Sequence, residues 1–569
     1  MVKETLTDLV NRSAKLYGNC DFLSFVDSDP YTYSDFVETV KRVREFLRSR
    51  EVSFGDKVIL LSENHPNWGV CYFAITTLGA VVVPVLPDFH AREIASIVEH
   101  SRAVGVFTSE KMYDKVSGLL GENRWGVLID DFAEVSHTEG KVVVEPAYAG
   151  KQGYPQMPLI PDEVEEKDIA AIIYTSGTTG NPKGVVLTHR NIASNVLSTK
   201  DIPRKLRPGD RILSILPLAH TYECTIGFLS GLYLGCRIYY LRRPPSQSVL
   251  LPALETVRPH VVISVPLLIE KIYRSVIAPK IRNNRVLRNL VKVPPFRKIL
   301  YRSAGRKLKK TFGGSLKYFI VGGAPLAEEV ERFLREAEFP LAMGYGLTET
   351  SPLIAGSTED NAKPSAVGPV VDRVEVRVLS EDPERTPGEI IVKGPNVMQG
   401  YYREEERTKE VLSEDGWFYT GDLGTLDKEG YLTIHGRLKN LILGPNGENI
   451  YPENIEAVLN EDPFVSESVV FEEEGKILAR VHIDYDKFIE YAKNFAESAH
   501  GVSKDISSYV WEYLDNLRRN VNRRLNSFSK LYGILEQRDP FEKTPTKKIK
   551  RYMYTRKSET PENTQQGEL

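Results

Sequence analysis

Tyr174-Thr-Ser-Gly-Thr-Thr-Gly-Asn-Pro-Lys-Gly184 is the stretch on which the reading of this chain turns. An apolar run, Ile169-Ala-Ala-Ile-Ile-Tyr174, leads into it and reads as a buried strand, and a second run, Val185-Val-Leu187, leads out. Between them, Thr175–Lys183 is nearly all Ser, Thr and Gly. Such a loop has little to pack into a core. It offers backbone N–H groups, the hydroxyls of Thr175, Ser176, Thr178 and Thr179, and the ammonium of Lys183. Many small donors at close approach suit a polyphosphate. The usual P-loop pattern fails, because Pro182 stands where its second Gly is required. A surface linker has the same composition, but the flanking strands argue against one.

The composition outside this loop narrows the class. With 569 residues, 41% of them hydrophobic and 27% charged, the chain reads as a soluble globular protein of several domains. A net charge of −3 excludes a global field that recruits nucleic acid or anionic lipid. Cys20, Cys71, Cys224 and Cys236 lie in apolar surroundings with no zinc spacing, and read as buried thiols of a reducing compartment. The N-terminus carries both signs of charge and no signal-peptide core, so the expected location is cytoplasmic. Trp68–Pro87 is uncharged and long enough to span a bilayer, but Gly79 and Pro84 interrupt it. A buried helix near 67–79, a turn and a strand fit it better.

Taken in order, the chain alternates strand and helix. Asp35 and Glu38 stand at capping-box spacing ahead of a helical pattern at Phe36, Val40, Val43 and Leu47. Val58–Leu61, Val81–Val83, Val104–Phe107 and Trp125–Ile129 read as strands of one parallel sheet. Residues 137–166 form a polar connection to the loop. A second round follows: strands at Ile212–Leu216, Arg237–Leu241, His260–Val265 and Tyr318–Val321, with helices at Thr225–Leu234 and Val249–Val257. Residues 271–310 hold fourteen Lys or Arg and no Asp or Glu. They read as a pair of solvated helices with Ile299, Tyr301 and Leu308 facing inward, or as a patch for a polyanion: coenzyme A phosphates or an anionic membrane surface. Few aromatics interleave the charges, which disfavours nucleic acid. From Ala366 to Leu441 glycine-punctuated short strands predict a β-rich subdomain, followed by a smaller α/β segment to 555 and a polar, disordered tail over 556–569.

Three further motifs carry chemistry. In Tyr345-Gly-Leu-Thr-Glu-Thr350, Glu349 is placed to hold Mg²⁺ against phosphate oxygens, Thr348 offers a hydroxyl and Tyr345 can stack on a purine. Trp417-Phe-Tyr-Thr-Gly-Asp422 puts a carboxylate in a tight turn, where its two oxygens suit two ribose hydroxyls. Arg437, in His435-Gly-Arg-Leu-Lys-Asn440, adds a cation, and Lys543–Arg551 is a basic loop punctuated by Pro545.

The order of these elements resembles the adenylate-forming superfamily, which includes acyl-CoA synthetases, firefly luciferase and the adenylation domains of peptide synthetases. The resemblance covers roughly residues 20–555. It runs from the phosphate loop through Gly322-Gly-Ala-Pro325, Tyr345–Glu349, Tyr419–Asp422 and Gly436–Lys439 to a terminal lysine. Asp415–Gly424 and Gly447–Glu456 are similar to stretches of fatty acyl-CoA synthetases, and the basic segment resembles that of long-chain members.

The resemblance implies an α/β fold. A large N-terminal AMP-binding domain (1–436) holds two α/β sheet subdomains and a β-rich subdomain, a hinge spans 437–440, and a small mobile α+β domain spans 441–555. It implies a ligase that converts a fatty acid, ATP and coenzyme A to acyl-CoA through acyl-AMP. Thr175, Ser176, Gly177, Thr178, Thr179, Gly180 and Lys183 hold the β- and γ-phosphates, with Thr348 beside them, and Glu349 holds Mg²⁺. Gly323 and Tyr345 line adenine, Ala324 and Gly346 belong with them to the ATP site, and Asp422 and Arg437 hold ribose. Lys548 bridges the carboxylate and the α-phosphate, then withdraws as the small domain turns about Lys439. His220 lies near the carboxylate and the pantetheine channel. Two departures stand out. Lys547 replaces the usual Gly, so the catalytic lysine is Lys548 or Lys547, and the hinge reads Gly-Arg-Leu-Lys-Asn. An acyl carrier protein could replace coenzyme A as thiol. A non-catalytic, membrane-associated adenylate-binding protein would not need Lys183, Glu349, Asp422 and Lys548 together.

Overall fold

The computed structural model describes residues 3–135, 141–148, 154, 156–175, 182–200, 202–444, 448–489, 506–544 and 548–555. Ser176–Gly180, Lys547 and the 556–569 tail lie outside the described residues. By contact the chain forms two compact units, Met1–Thr420 with Gly424–Ile434, and Gly421–Leu423 with His435–Leu569.

Two large sheets organise the first unit. A seven-stranded sheet runs Gly400–Tyr401, Lys183–Thr188, Ile169–Thr175, Val81–Val85, Lys57–Leu61, Gly105–Thr108, Trp125–Leu128. Its inner strands are apolar on both faces, as parallel strands covered by helices require. An eight-stranded sheet runs Leu353–Ser357, Leu341–Gly346, Tyr318–Gly322, Val261–Ser264, Arg211–Ser214, Arg237–Tyr240, Asp21–Phe25, Tyr31–Thr32. Five strands between Gly368 and Arg437 make the expected β-rich sheet.

The helix Pro66–Thr77 is buried along its whole length. Trp68, Tyr72 and Phe73 meet Phe228 in a cluster that also takes in Phe22, Tyr33 and Phe36. Each such side chain contributes roughly 1.5–3 kcal/mol by leaving water. That accounts for the uncharged run Trp68–Pro87: among the described residues no helix is long and apolar enough to cross a membrane.

Five local expectations are corrected. The first long helix begins at Tyr33, because Thr32 is its N-cap: Asp35 N–H donates to Thr32 Oγ1 at 3.1 Å and Thr32 N–H to Asp35 Oδ2 at 2.9 Å. Asp35 therefore closes the capping box rather than opening one. The apolar segment expected as a helix at 225–234 is a π-helical turn, Glu223–Leu229, followed by Ser230–Tyr233. Asp422 lies within the strand Phe418–Leu426 instead of a tight turn, with Gly421 at φ +68° beside it. Cys20 is exposed, while the other three thiols are buried. Finally, Ile299 is 63% exposed, although Tyr301 and Leu308 are buried. On the helix Pro294–Thr311, Ile299 sits two positions from Tyr301, which at about 100° per residue puts it on the opposite face.

The second unit pairs Ile442–Leu443 with Asn449–Ile450, and Val465–Glu473, Lys476–Ile483 and Gly533–Gln537 form a three-stranded sheet. The helix Ile506–Asn522 packs Val510, Leu514, Leu517 and Val521 into its core.

Candidate active site

Strands Ile169–Thr175 and Lys183–Thr188 pair antiparallel, with Thr175 directly opposite Lys183. Both ends of the Ser/Thr/Gly loop are therefore fixed at one hairpin mouth. Thr175 Oγ1 is buried there without a hydrogen-bond partner among the described residues, an orphan acceptor and donor at the entrance to the loop.

Lys183 points from this mouth to Glu349. Its Nζ lies 2.8 Å from Glu349 Oε1 and 2.7 Å from the Tyr401 hydroxyl, which itself donates to Glu349 Oε1 at 3.0 Å. The same Nζ stands 4.2 Å from the centre of the Tyr401 ring, within cation–π range. Tyr401 arrives on the edge strand Gly400–Tyr401, which pairs antiparallel with the strand Lys183–Thr188. Glu349 follows the strand Leu341–Gly346 on a tight turn, Thr348–Thr350, closed by Thr350 N–H donating to Leu347 O at 3.0 Å. Burial works to raise the Glu349 carboxyl. The Lys183 charge and hydrogen bond, helped by Tyr401, outweigh it and hold the group below the usual carboxylate range. Burial and the neighbouring Glu349 push the Tyr401 phenol up. The site thus holds one ionised, buried carboxylate whose counter-charge is the loop lysine.

That donor set fits Mg²⁺ in one specific way. Among the described residues no group of three or more His, Cys, Asp or Glu converges on a metal position. A single carboxylate is what Mg²⁺ takes when phosphate oxygens and water complete its shell.

The neighbouring elements reach the same turn. Thr221 Oγ1 donates to Thr348 Oγ1 at 3.3 Å, and the Tyr222 hydroxyl donates to Ile320 O at 3.2 Å, just ahead of Gly322. His220 Nδ1 accepts the Tyr222 N–H at 3.2 Å, so Nε2 carries the ring proton when the imidazole is neutral. Gly323, at φ +83°, and Ala324 are exposed at the end of the strand Tyr318–Gly322. Tyr345 pairs with Ala355 across the antiparallel strand Leu353–Ser357. Gly346 is required by close approach: a Cβ there would stand 1.8 Å from Pro352 O.

In the second unit, Asp422 Oδ1 and Arg437 Nε are 2.6 Å apart, with Asp422 buried. Lys439 lies on the short turn Leu438–Asn440, whose Asn440 amide donates to Glu453 Oε1 at 2.6 Å. Lys548 is exposed. Its N–H donates to Thr544 Oγ1 at 3.2 Å and its carbonyl accepts from Thr544 N–H at 2.7 Å. The structure therefore brings Lys183 to Glu349, Thr348 to the His220 segment, and Asp422 to Arg437. Sequence reasoning missed Tyr401, Thr221 and Tyr222. The two residues after His220 were in plain view, and Gly400-Tyr401-Tyr402 carried no chemical signature of its own.

Comparison with known proteins bears on family and fold. The AMP-binding enzyme family matches residues 10–402. A long-chain-fatty-acid–CoA ligase of Mycobacterium bovis is 30% identical over 561 residues, covering 90% of this chain and 88% of that protein. The peroxisomal long chain acyl-CoA synthetase 6 of Arabidopsis thaliana is 30% identical, covering 88% and 76%. Among solved structures, the ATP-bound MatB of Rhodopseudomonas palustris superposes with a TM-score of 0.73 at 25% identity, covering 96% of this chain and 98% of that one. Family match, identity and fold agree on one conclusion: the chain belongs to the AMP-binding enzyme family.

Proposed function

We propose that this chain is an AMP-forming acid–thiol ligase that activates a long-chain fatty acid with ATP and passes the acyl group to coenzyme A. The observation that carries the reading is the buried Lys183–Glu349–Tyr401 network at the mouth of the Ser/Thr/Gly loop. Its relatives, named as long-chain fatty acid ligases along most of the chain's length, support the substrate class.

The chemistry asks little of a general base, because a carboxylic acid is already ionised at neutral pH. Lys183, with Thr175 and the hydroxyl loop, binds and orients the β- and γ-phosphates of ATP. Glu349 would hold Mg²⁺, which when bound supplies positive charge to the phosphate oxygens. The substrate carboxylate oxygen attacks the α-phosphorus and the bond to pyrophosphate breaks, giving acyl-AMP. The thiol of coenzyme A then attacks the acyl carbon. The carbon–oxygen bond to AMP breaks, and the thiol proton is released. Alignment and charge neutralisation supply the rate. We assign Tyr345 to the adenine face, Asp422 with Arg437 to the ribose hydroxyls, and Lys548 to the charge that develops during adenylation. Pyrophosphate release with Mg²⁺-ATP and a C12–C18 acid tests the reading. Turnover that requires coenzyme A supports it, and a single burst unrelieved by coenzyme A identifies a carrier-protein thiol as the acceptor.

The basic run 271–310 supports a peripheral contact with anionic lipid, the phase in which long-chain acids reside. Arg274, Arg297 and Arg302 pair with Glu270, Glu336 and Glu338, and the other basic side chains of the run make no ion pair among the described residues. Val286, Val293, Phe296 and Ile299 are exposed on the same run, which a soluble polyanion does not call for. Pelleting with anionic but not neutral vesicles, relieved by salt, is the expected result, and equal binding to both removes this contact from the account.

A further inference from the structure

A buried acid behind His220 takes no part in the chemistry above. Glu223 opens the π-helical turn Glu223–Leu229 and is 1% exposed. Its Oε1 accepts from the Ser214 hydroxyl at 2.6 Å, and its Oε2 is buried without a hydrogen-bond partner among the described residues. Gly227 makes the room: a Cβ there would lie 2.7 Å from Glu223 Oε1. A π-turn and an unsatisfied buried oxygen are both costly, and both concentrate where function requires them.

The hydrogen bonds run outward from this acid to the loop that carries His220. Ser214 Oγ accepts from Asn64 Nδ2 at 3.0 Å. Asn64 then grips the loop twice: Nδ2 donates to Leu216 O at 2.7 Å, and Oδ1 accepts the Leu218 N–H at 2.8 Å. From there His220 N–H donates to Pro217 O at 3.0 Å, and Cys224 N–H returns to His220 O at 3.0 Å. His220 is thus held between an asparagine clamp and the first residues of the π-turn, and Glu223 is common to both supports. Thr221 and Tyr222, next along, make the contacts to Thr348 and Ile320.

We propose that Glu223 is a positioning residue, which through Ser214 and Asn64 sets the loop 216–220 and with it the placement of His220. The inference rests on the ligase reading and on the role that the family resemblance implies for His220. Burial pushes the Glu223 carboxyl up to about 8, so the relay is neutral at pH 7. The titratable groups that face it, Tyr222, Cys224 and Tyr240, are likewise raised by burial. Ionising Glu223 at higher pH introduces a charge into the relay with no cation among the described residues to meet it.

The test compares wild type with Ser214→Ala, Glu223→Leu, Glu223→Gln, His220→Ala and the Ser214→Ala/His220→Ala pair. Turnover is measured with dodecanoic acid, Mg²⁺-ATP and coenzyme A. Independently of activity, diethyl pyrocarbonate labelling of His220 is followed by peptide mapping. Ser214→Ala and Glu223→Leu should lose about 10–100-fold in kcat/KM, the scale of a misplaced reacting group. Both should also change the His220 labelling rate several-fold. Glu223→Gln should restore both readouts and hold activity to higher pH than wild type. The double variant should be no slower than His220→Ala alone. Unchanged His220 labelling in Ser214→Ala, or losses that multiply in the double variant, would overturn the proposal. If Glu223→Leu does not fold, Ser214→Ala and the double variant still decide it. Altered labelling in a chain that releases no pyrophosphate with any acid would uphold the placement of His220 and reject the ligase reading.

Discussion

Replacing Lys183 by methionine removes one charge from the site and leaves the rest of the side chain's bulk in place. The structure lets the consequence be worked out for stability as well as activity. Glu349 is 9% exposed at its side chain and Lys183 20%. Without the ammonium, the Tyr401 hydroxyl is the one side-chain donor left to the carboxylate among the described residues. Breaking a buried pair by removing one partner costs about 3–5 kcal/mol. For a unit of this size that is a fall in Tm of about 1 °C per kcal/mol, or roughly 3–5 °C. The loss should depend on pH. In the wild type the Glu349 carboxyl is held below its ordinary range, so its contribution is present above that range and lost as pH falls through the folded value. In Lys183→Met, desolvation dominates and the carboxyl rises. Stability then falls as pH climbs through the window between the unfolded and raised values, and the gap to wild type widens from pH 5 to pH 8. Adding Glu349→Gln should recover most of the stability and none of the activity. Melting curves at both pH values, alongside pyrophosphate release, make the assay. A Lys183→Met protein that melts with wild type at pH 8 while losing activity would refute the pairing on which the site is built.

Other substitutions probe separate parts of the account. Lys548→Ala should lose about 10²–10³-fold in pyrophosphate release, the scale of one transition-state charge contact, yet form thioester normally from supplied acyl-AMP. If Lys547→Ala shows that pattern instead, the assignment moves by one residue. Tyr401→Phe removes hydrogen bonds to two charged groups and should cost about 1.5–3 kcal/mol in chemical denaturation, with weaker ATP binding by calorimetry. An unchanged midpoint would make Tyr401 a bystander. Gly346→Ala must displace Pro352, so adenylate affinity should fall even where circular dichroism is unaltered, and wild-type affinity would contradict the close approach described above.

The parts of this protein legible in its sequence are those where one local signal suffices. Ile169–Tyr174 and Val58–Leu61 could be placed because central strands buried on both faces read as unbroken apolar runs. The phosphate loop was visible because nothing else concentrates Ser, Thr and Gly between two such strands. What stayed hidden depends on long-range contact or on helical phase. Tyr401 meets Lys183 across 218 residues, and no local pattern announces that pairing. Ile299 was misplaced by phase: it shares the helix Pro294–Thr311 with Tyr301 and Leu308, but two positions from Tyr301 is about 200° round, on the opposite face. Glu223 stands just ahead of the apolar segment Thr225–Leu234 and carried no reading of its own. Its burial follows from Gly227 and from strands that lie before and after it in sequence.

The proposed reaction activates an acid with ATP and delivers it to a thiol. The most direct measurement is pyrophosphate release with Mg²⁺-ATP across C2 to C18 acids, each with and without coenzyme A. The expected result is a maximum at C12–C18, with sustained turnover only when coenzyme A is present. Absence of release with every acid, by a protein that still binds ATP, would contradict it and leave an adenylate-binding protein in its place.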